Sequence, residues 1–319
     1  MFDFFTIAAI VITFFLAGTV KGVIGLGLPS VSLGLLTAAL VSLWLPAERS
    51  RRGGFETWQF LFLAAVASAL VAGFVDSVGV AALVVLSLAS FFAVQPAVSA
   101  GTRIVASLLA LMLSVALVAH LIPGFDNPKV IDSVVLSPGA MPYSKHLNFD
   151  KAAVGLLLLA YAHHRIQNRA EWARVFKATV PVALALVATI LPLSYLLGYV
   201  RWSPGPPPVL LFWAWTNLFF TCIAEEAIFR GFIQQRLTAA LASRRFGITI
   251  ALVVAALLFG LAHYAGGPKY VLLSTFAGLG YGWAWLRTHR IESSIAVHFF
   301  VNLVHFTLFS YPALAPAAP

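Results

Sequence analysis

The sequence predicts an all-α, polytopic membrane protein with about 10–11 transmembrane helices. Of its 319 residues, 61% are hydrophobic and only 10% are charged, and the mean hydropathy is +0.94. Soluble domains carry about 25% charged residues. Apolar runs long enough to cross about 30 Å of hydrocarbon recur from one end of the chain to the other. We therefore expect an integral membrane protein in contact with the lipid bilayer.

The candidate spans are apolar segments separated by short polar or proline-rich stretches. In chain order they are 2–17, 22–45, 59–75, 78–94, 103–122, 151–162, 175–198, 208–235, 248–265, 270–286 and 293–311. Segment 151–162 is short enough to be re-entrant rather than spanning. The polar stretch 123–150 is expected outside the membrane or packed as an irregular lid. The prolines of SPGPPP, 203–208, favour a helix that begins directly after them.

The charges predict orientation and exclude one class of partner. Most Lys and Arg residues of the predicted loops lie on the cytoplasmic side if the N-terminus is cytoplasmic, as the positive-inside rule requires. We expect residence in a bacterial inner (cytoplasmic) membrane. The net charge of +9 is spread thinly over short loops and does not indicate a nucleic-acid partner.

One apolar helix carries three charges. The stretch CIAEEAIFRGF, 222–232, places Glu225, Glu226 and Arg230 inside the span 208–235. Ionisable residues at membrane depth are costly and are usually functional. Glu226 and Arg230 are spaced i,i+4 in the order that favours a helical ion pair. Glu225 lies about 100° round the helix and has no such local partner, so it is the candidate for chemistry. A purely structural ionic cluster of all three stays open.

Two later helices carry the polar residues that Glu225 could face. His263 lies as far after Arg244 as Glu225 lies before it, so an antiparallel hairpin would bring them to one level. His298 and Asn302 are spaced i,i+4 and share a face. At about 1.5 Å per residue, His263 comes out about 24 Å deep and the others roughly 12–18 Å. Helix 248–265 is therefore expected to tilt or protrude.

If these residues converge, they can hydrolyse an amide. Glu225 with His263 could polarise a water molecule, and His298 with Asn302 could donate hydrogen bonds to the oxyanion. Phe259, one turn before His263, would pack against the pair and exclude water. This mechanism needs no cofactor. The alternative is a zinc site with Glu225, His263 and His298 as ligands and a fourth position left for water.

Three motifs together resemble one family. EEAIFR (225–230), FGLAH (259–263) and HFFVN (298–302) are similar to the EExxxR, FxxxH and HxxxN motifs of the CPBP, or Abi, family. This family contains CAAX proteases and bacteriocin-processing enzymes. The resemblance covers about residues 150–311 and implies a glutamate-type intramembrane endopeptidase. An older metalloendopeptidase proposal for the family leaves zinc open.

The resemblance also implies roles for single residues. Glu225 matches the catalytic glutamate, His263 its partner in activating water, and His298 and Asn302 the oxyanion-hole pair. Glu226 and Arg230 match supporting positions. The implied partner is a peptide or protein substrate in or at the membrane, either a CAAX-type prenylated tail or a bacteriocin-like peptide. A non-catalytic immunity or binding protein that keeps the fold is the alternative.

The N-terminus resembles a different family. FFLAGTVKGVIGLGLPSVSLGLL, 14–36, is similar to the opening of sulfite-exporter (TauE/SafE-type) transporters. A helix with small residues for close packing would give the same pattern. We expect a two-helix, transporter-fragment-like segment over 1–58 and a protease domain over 59–319, with its core at 150–311. Anion export through the N-terminal segment is a further alternative function.

Overall fold

The structure, a computed structural model, describes residues 28–45, 51–52, 55–162, 165–166 and 168–315. Helices dominate this part of the chain, accompanied by two short two-stranded sheets. The predicted all-α membrane fold is confirmed. The predicted span 2–17 and most of the transporter-like stretch 14–36 lie outside the described residues.

The helices follow the predicted spans closely. In chain order the α-helices are α1 Leu28–Ser42, α2 Thr57–Val71, α3 Ser77–Phe92, α4 Ala100–Val118, α5 Phe149–Ala162, α6 Arg169–Leu196, α7 Leu210–Asn217, α8 Ile223–Glu226, α9 Gln235–Ala240, α10 Gly247–Leu261, α11 Gly267–Thr288 and α12 Ile291–Leu308. Two π-helical segments, Leu218–Cys222 and Ala227–Gln234, flank α8, and a 3₁₀ turn, Tyr264–Gly266, precedes α11. The strands are β1 Arg51–Arg52, β2 Phe55–Glu56, β3 Lys129–Val134 and β4 Tyr143–His146.

Several described helices are long and apolar enough to cross a bilayer. By length and composition these are α4, α6 and α12, with mean hydropathies of 2.0, 1.9 and 1.3. The segments 247–261 and 264–288 pass the same test together, but the chain bends by 57° between them. Helices α1, α2 and α3 are apolar and shorter. The chain is therefore an integral membrane protein, and the total of about 10–11 spans stays a prediction.

The chain forms two compact units. The first comprises 1–130, 146–167 and 219–228, and the second comprises 131–145, 168–218 and 229–319. The division falls within the helical stretch that carries the first motif, so that Glu225 belongs to the first unit and Arg230 to the second. The predicted domain boundary at 58/59 stays a prediction.

Helix α5 is the centre of the first unit. Its residues 152–159 are buried, because α1, α3, α4 and α8 all pack against it. This explains why segment 151–162 is apolar throughout although it is short. At Gly155 a Cβ would lie 3.1 Å from the Ala224 Cα, so the backbone of α8 lies directly on α5. The glycine thus sets the position of the segment that carries Glu225.

The start of α5 is held by a buried carboxylate. Asp150 is 1% exposed, and its two oxygens accept from the Asn127 Nδ2 at 3.1 Å and pair with the His120 Nδ1 at 2.7 Å. The Asn127 Oδ1 in turn accepts from the Phe149 N at 2.8 Å. These bonds tie the chain that follows α4 to the first turn of α5.

The second unit is built around α6, α10, α11 and α12, which pack against one another through a shared apolar core. The turn between α11 and α12 is tied to the start of α6, because the Arg290 Nε donates to the buried Glu171 Oε1 at 2.6 Å. A Cβ at Gly260 would collide with the Thr275 side chain, so α10 and α11 approach closely at this glycine. The bond between Arg290 and Glu171 fixes the N-terminal end of α12, the helix that carries the third motif.

The polar stretch 123–150 is more regular than an irregular lid. Strands β3 and β4 pair within it, because Ile131 and Tyr143 bury their side chains. After this hairpin's tip, the Met141 N donates to the Ala313 O at 2.9 Å, and the Tyr143 ring packs on Tyr311 with centroids 5.2 Å apart. The expectation of irregular structure is wrong here, since the stretch forms a hairpin that holds the C-terminal segment.

Replacement of Gly155 by valine is expected to destabilise the protein. The added side chain meets the backbone of Ala224 and the Ile223 side chain, and such overpacking costs typically about 1–3 kcal/mol. Thermal unfolding in detergent would measure the loss. Gly101→Val is the matched control, because the nearest atom to a Cβ there is 3.8 Å away. Equal melting temperatures for the two variants would contradict the close contact.

Replacement of His120 by alanine is expected to weaken the attachment of α5. The buried Asp150 loses one partner, which costs about 1–3 kcal/mol. The exposed His146→Ala is the control and should change the free energy of unfolding by less than about 0.5 kcal/mol. Unfolding of both variants in the same detergent checks this, and a His120→Ala variant as stable as wild type would refute it.

Candidate active site

The first motif lies on a helical stretch that is not a regular α-helix. Glu225 and Glu226 are in the four-residue α8, with π-helical segments directly before and after it. π-Helical turns inside helices are frequent at functional sites. Arg230 lies in the second π-helical segment. In a regular α-helix, residues spaced i,i+4 share a face, but this rule does not apply to a π-helical segment. The Glu226–Arg230 pair therefore stays a prediction.

The two carboxylates of the first motif are buried. Glu225 is 8% exposed and Glu226 is fully buried, on the helix segment whose backbone touches α5 at Gly155. Buried carboxylates persist in proteins only when they are paired or hydrogen-bonded. Both residues therefore lie inside the protein rather than at its surface, and their role in catalysis stays a prediction.

In the second unit Arg230 is a fully buried cation. Its Nη2 donates to the Gly278 O at 2.8 Å, and its Cζ lies 4.4 Å from the Phe259 ring centroid and 5.2 Å from that of Tyr281. A Cβ at Gly278 would lie 3.2 Å from the same Nη2, so the glycine leaves room for the guanidinium. Aromatic faces attract a cation most strongly where water is excluded.

The Phe259 ring connects the second and third motifs. The His263 ring lies 4.7 Å from it and the His298 ring 5.8 Å, measured between centroids. The His263 Nδ1 also hydrogen-bonds the Phe259 carbonyl oxygen at 2.7 Å. Because a carbonyl can only accept, Nδ1 carries the proton, and in the neutral ring Nε2 carries the lone pair.

His263 lies two residues beyond the end of its helix. Helix α10 ends at Leu261, and the chain bends by 57° before it continues into α11. The predicted continuation of the helix to residue 265 is wrong, because the helix ends at Leu261, and the expected tilt or protrusion stays a prediction. The bend and the 3₁₀ turn Tyr264–Gly266 place His263 at a corner of the chain instead of inside a straight helix.

His298 and Asn302 lie on one helix, α12, as predicted. The His298 ring is 4% exposed and stacks on Tyr281, with centroids 4.5 Å apart and planes 13° from parallel. The Asn302 Nδ2 donates to the Asn217 Oδ1 at 3.2 Å. Tyr281 and Asn217 are not among the residues that the motifs predict. A polar Asn217 within the apolar helix 208–235 is the signal that could have indicated one of them.

The second unit thus brings four of the predicted residues together. Arg230, Phe259, His263 and His298 form one contiguous cluster with Tyr281, and Asn302 lies one turn beyond His298. Glu225 and Glu226 belong to the first unit, and the convergence of all the predicted catalytic residues stays a prediction.

The zinc alternative requires three ligand side chains that lie close together. Over the described ranges, no three His, Cys, Asp or Glu side chains are placed as a group that could hold a metal ion. Zinc bound by Glu225, His263 and His298 stays a prediction that chelation can test.

Comparison with known proteins identifies a family. Residues 206–304 match a family model described as type II CAAX prenyl endopeptidase Rce1-like. The matched range contains all three motifs, at 225–230, 259–263 and 298–302. Neither the search of curated proteins nor that of solved structures found a match. The match does not reach the transporter-like stretch 14–36, and that resemblance stays a prediction.

The matched family is one of membrane proteases, and it agrees with the three motifs on their separate apolar helices. Over residues 206–304, the chain is therefore similar to the Rce1-like family of type II CAAX prenyl endopeptidases.

Proposed function

We propose that the chain is an intramembrane endopeptidase that hydrolyses a peptide bond with a water molecule activated by Glu225 and His263. The observation that carries this proposal is the Phe259 ring, which contacts both His263 and His298 although they lie on different segments. One apolar ring thereby holds the histidine that is assigned to water activation, His263, and the histidine that is assigned to the oxyanion hole, His298. The family match supports the same reaction class.

The hydrogen bond from His263 Nδ1 to the Phe259 carbonyl supports the role of this histidine. It turns Nε2 into the nitrogen that accepts a hydrogen bond from the attacking water. Glu225 is the general base: its carboxylate takes a proton from the water while the oxygen attacks the scissile carbonyl. The proton is then delivered to the leaving nitrogen as the C–N bond breaks, and the products are a carboxylic acid and an amine.

His298 and Asn302 are the oxyanion donors in this proposal. Stacking on Tyr281 and edge contact with Phe259 fix the plane of the His298 ring before substrate arrives. Donors that are already oriented gain most when charge develops on the carbonyl oxygen, and removal of one typically costs about 10²–10³ in rate.

Arg230 supports the site without contacting substrate in this scheme. It contacts both Phe259 and Tyr281, the two rings that hold the histidines, and it hydrogen-bonds α11 at Gly278. A single buried cation therefore fixes the spacing of α10 and α11 where the second motif lies.

The proposed substrate is a peptide at the membrane. The name of the matched family points to a CAAX-type tail that carries a prenyl group. A bacteriocin-like peptide is the alternative within the same reaction class. We place the protein in a bacterial inner membrane with its N-terminus in the cytoplasm, as the loop charges predict.

Replacement of Glu225 by glutamine or of His263 by alanine is expected to lower kcat at least about 10²-fold, because each removes a group that activates water. Purified protein and a fluorogenic, prenylated CAAX-type peptide set, together with bacteriocin-like peptides, would measure this. His146→Gln, at an exposed position of strand β4, is the control and should leave kcat unchanged.

A zinc chelator distinguishes the two mechanisms in the same assay. Activity that is indifferent to chelator supports the glutamate mechanism. Activity that chelator abolishes and zinc restores would replace it with the zinc site. No cleavage of any peptide by the wild type would contradict the proposed function and favour a non-catalytic immunity or binding protein.

Replacement of Arg230 by lysine is expected to damage the site although it keeps the charge. An ammonium cannot cover the Phe259 and Tyr281 rings and reach the Gly278 carbonyl as the planar guanidinium does. We expect a loss of about 1–3 kcal/mol of stability and a lower kcat.

Arg236→Lys is the matched control for this substitution. The Arg236 Cζ likewise lies over an aromatic ring, that of Phe232, at 4.0 Å from its centroid, but the residue is only half-buried. Its replacement should cost less than about 1 kcal/mol and spare kcat. Similar losses in both variants would show that the Arg230 cluster has no special role.

A further inference from the structure

We propose that Asn217 is a positioning residue that fixes the orientation of the Asn302 amide; the inference rests on the proposed function, in which Asn302 is an oxyanion donor. The Asn302 Nδ2 donates to the Asn217 Oδ1 at 3.2 Å. Asn217 is 6% exposed and is the last residue of α7, directly before the first π-helical segment. Both residues belong to the second unit.

An asparagine that stabilises an oxyanion must present nitrogen rather than oxygen. The two ends of its amide have almost the same shape, so packing alone cannot select between them. With the Asn217 oxygen facing Asn302, a flip of the Asn302 amide alone would set two carbonyl oxygens against each other, so this acceptor favours the orientation that presents nitrogen. One N–H of Asn302 is then used by Asn217, and the amide nitrogen carries a second N–H for the substrate oxyanion.

The helix pairing that carries this bond is fixed one turn away. Trp213 stacks on Phe306 with centroids 4.0 Å apart and planes 10° from parallel, and each side chain is 1% exposed. Asn217 follows Trp213 by four residues and Asn302 precedes Phe306 by four, so both pairs fit one antiparallel register between α7 and α12. The Trp213 Nε1 also donates to the Tyr311 hydroxyl at 3.1 Å. The stack therefore aligns the two amides before any substrate binds.

Two substitutions separate the acceptor from the shape of the side chain. Asn217→Asp keeps an acceptor oxygen in a side chain of the same size, and an ionised carboxylate cannot donate. Asn217→Leu keeps the size and removes the acceptor. The matched control is Thr216→Val, because the fully buried Thr216 hydroxyl donates within its own helix, to the Trp213 carbonyl at 3.1 Å.

The experiment measures kcat and KM of these variants with the peptide that the wild type cleaves. We expect Asn217→Leu to lower kcat about 10- to 100-fold with KM within about twofold of wild type, less than the loss of the oxyanion donor itself. Asn217→Asp should retain kcat within about tenfold, and Thr216→Val should match wild type. Asn302→Leu should lose no further activity when Asn217→Leu is added to it, because the two residues act as one unit.

Three results would overturn the inference. The first is an Asn217→Leu variant with the kcat of wild type, measured together with an Asn302→Leu variant whose kcat is lowered. The second is a kcat of Asn217→Asp as low as that of Asn217→Leu. The third is a rise in KM alone, which would make Asn217 a binding residue. If Asn217→Leu does not fold, Asn217→Ala removes the same acceptor and takes its place.

Melting temperatures of the two single variants and the double variant separate this inference from the proposed function. A shift in the double variant smaller than the sum of the single shifts supports the pair independently of turnover. Additive shifts would overturn the pair. If the shifts are non-additive but the protein cleaves no peptide, the hydrogen bond between the two residues is supported. The proposed function is then overturned, and with it the role of Asn217 in positioning an oxyanion donor.

Discussion

The burial of the Arg230 guanidinium is the constraint on which the second unit depends. A cation without water must be surrounded by acceptors and aromatic faces, and Gly278, Phe259 and Tyr281 supply them from two helices. The same two rings carry His263 and His298. The requirement to solvate one charge therefore also determines where the two histidines lie, and Gly278 is small because the guanidinium occupies the space of a side chain.

The sequence predicts the helices well because apolar length decides them. Helix α4 spans 100–118 where 103–122 is predicted, and α12 spans 291–308 where 293–311 is predicted. The motifs also identify Phe259 correctly as the neighbour of His263. The hairpin of β3 and β4 is not predicted, because its stability comes from the C-terminal segment, which lies more than 160 residues further along the chain.

Other features escape prediction because local sequence does not specify them. The periodicity of apolar residues does not reveal the π-helical segments around α8. An i,i+4 argument assumes a regular α-helix and therefore does not hold at Arg230. The bend before α11 follows Leu261 and has no proline at its corner, and the adjacent Gly260 serves the close approach of α10 to α11. Asn217 is visible in the sequence, but only the packing of Trp213 on Phe306 pairs it with Asn302.

The end of α10 explains the orientation of His263 in terms of backbone hydrogen bonding. The last carbonyls of a helix lack intrahelical donors, and in an apolar environment each must find one elsewhere. The His263 N donates to the Gly260 O at 3.0 Å, and its imidazole takes the place of a main-chain donor at the Phe259 O. The ring is thus fixed by helix termination, whether or not substrate is present. An apolar residue at this position would leave a carbonyl without a donor, so the fold itself favours a side chain that can donate a hydrogen bond here.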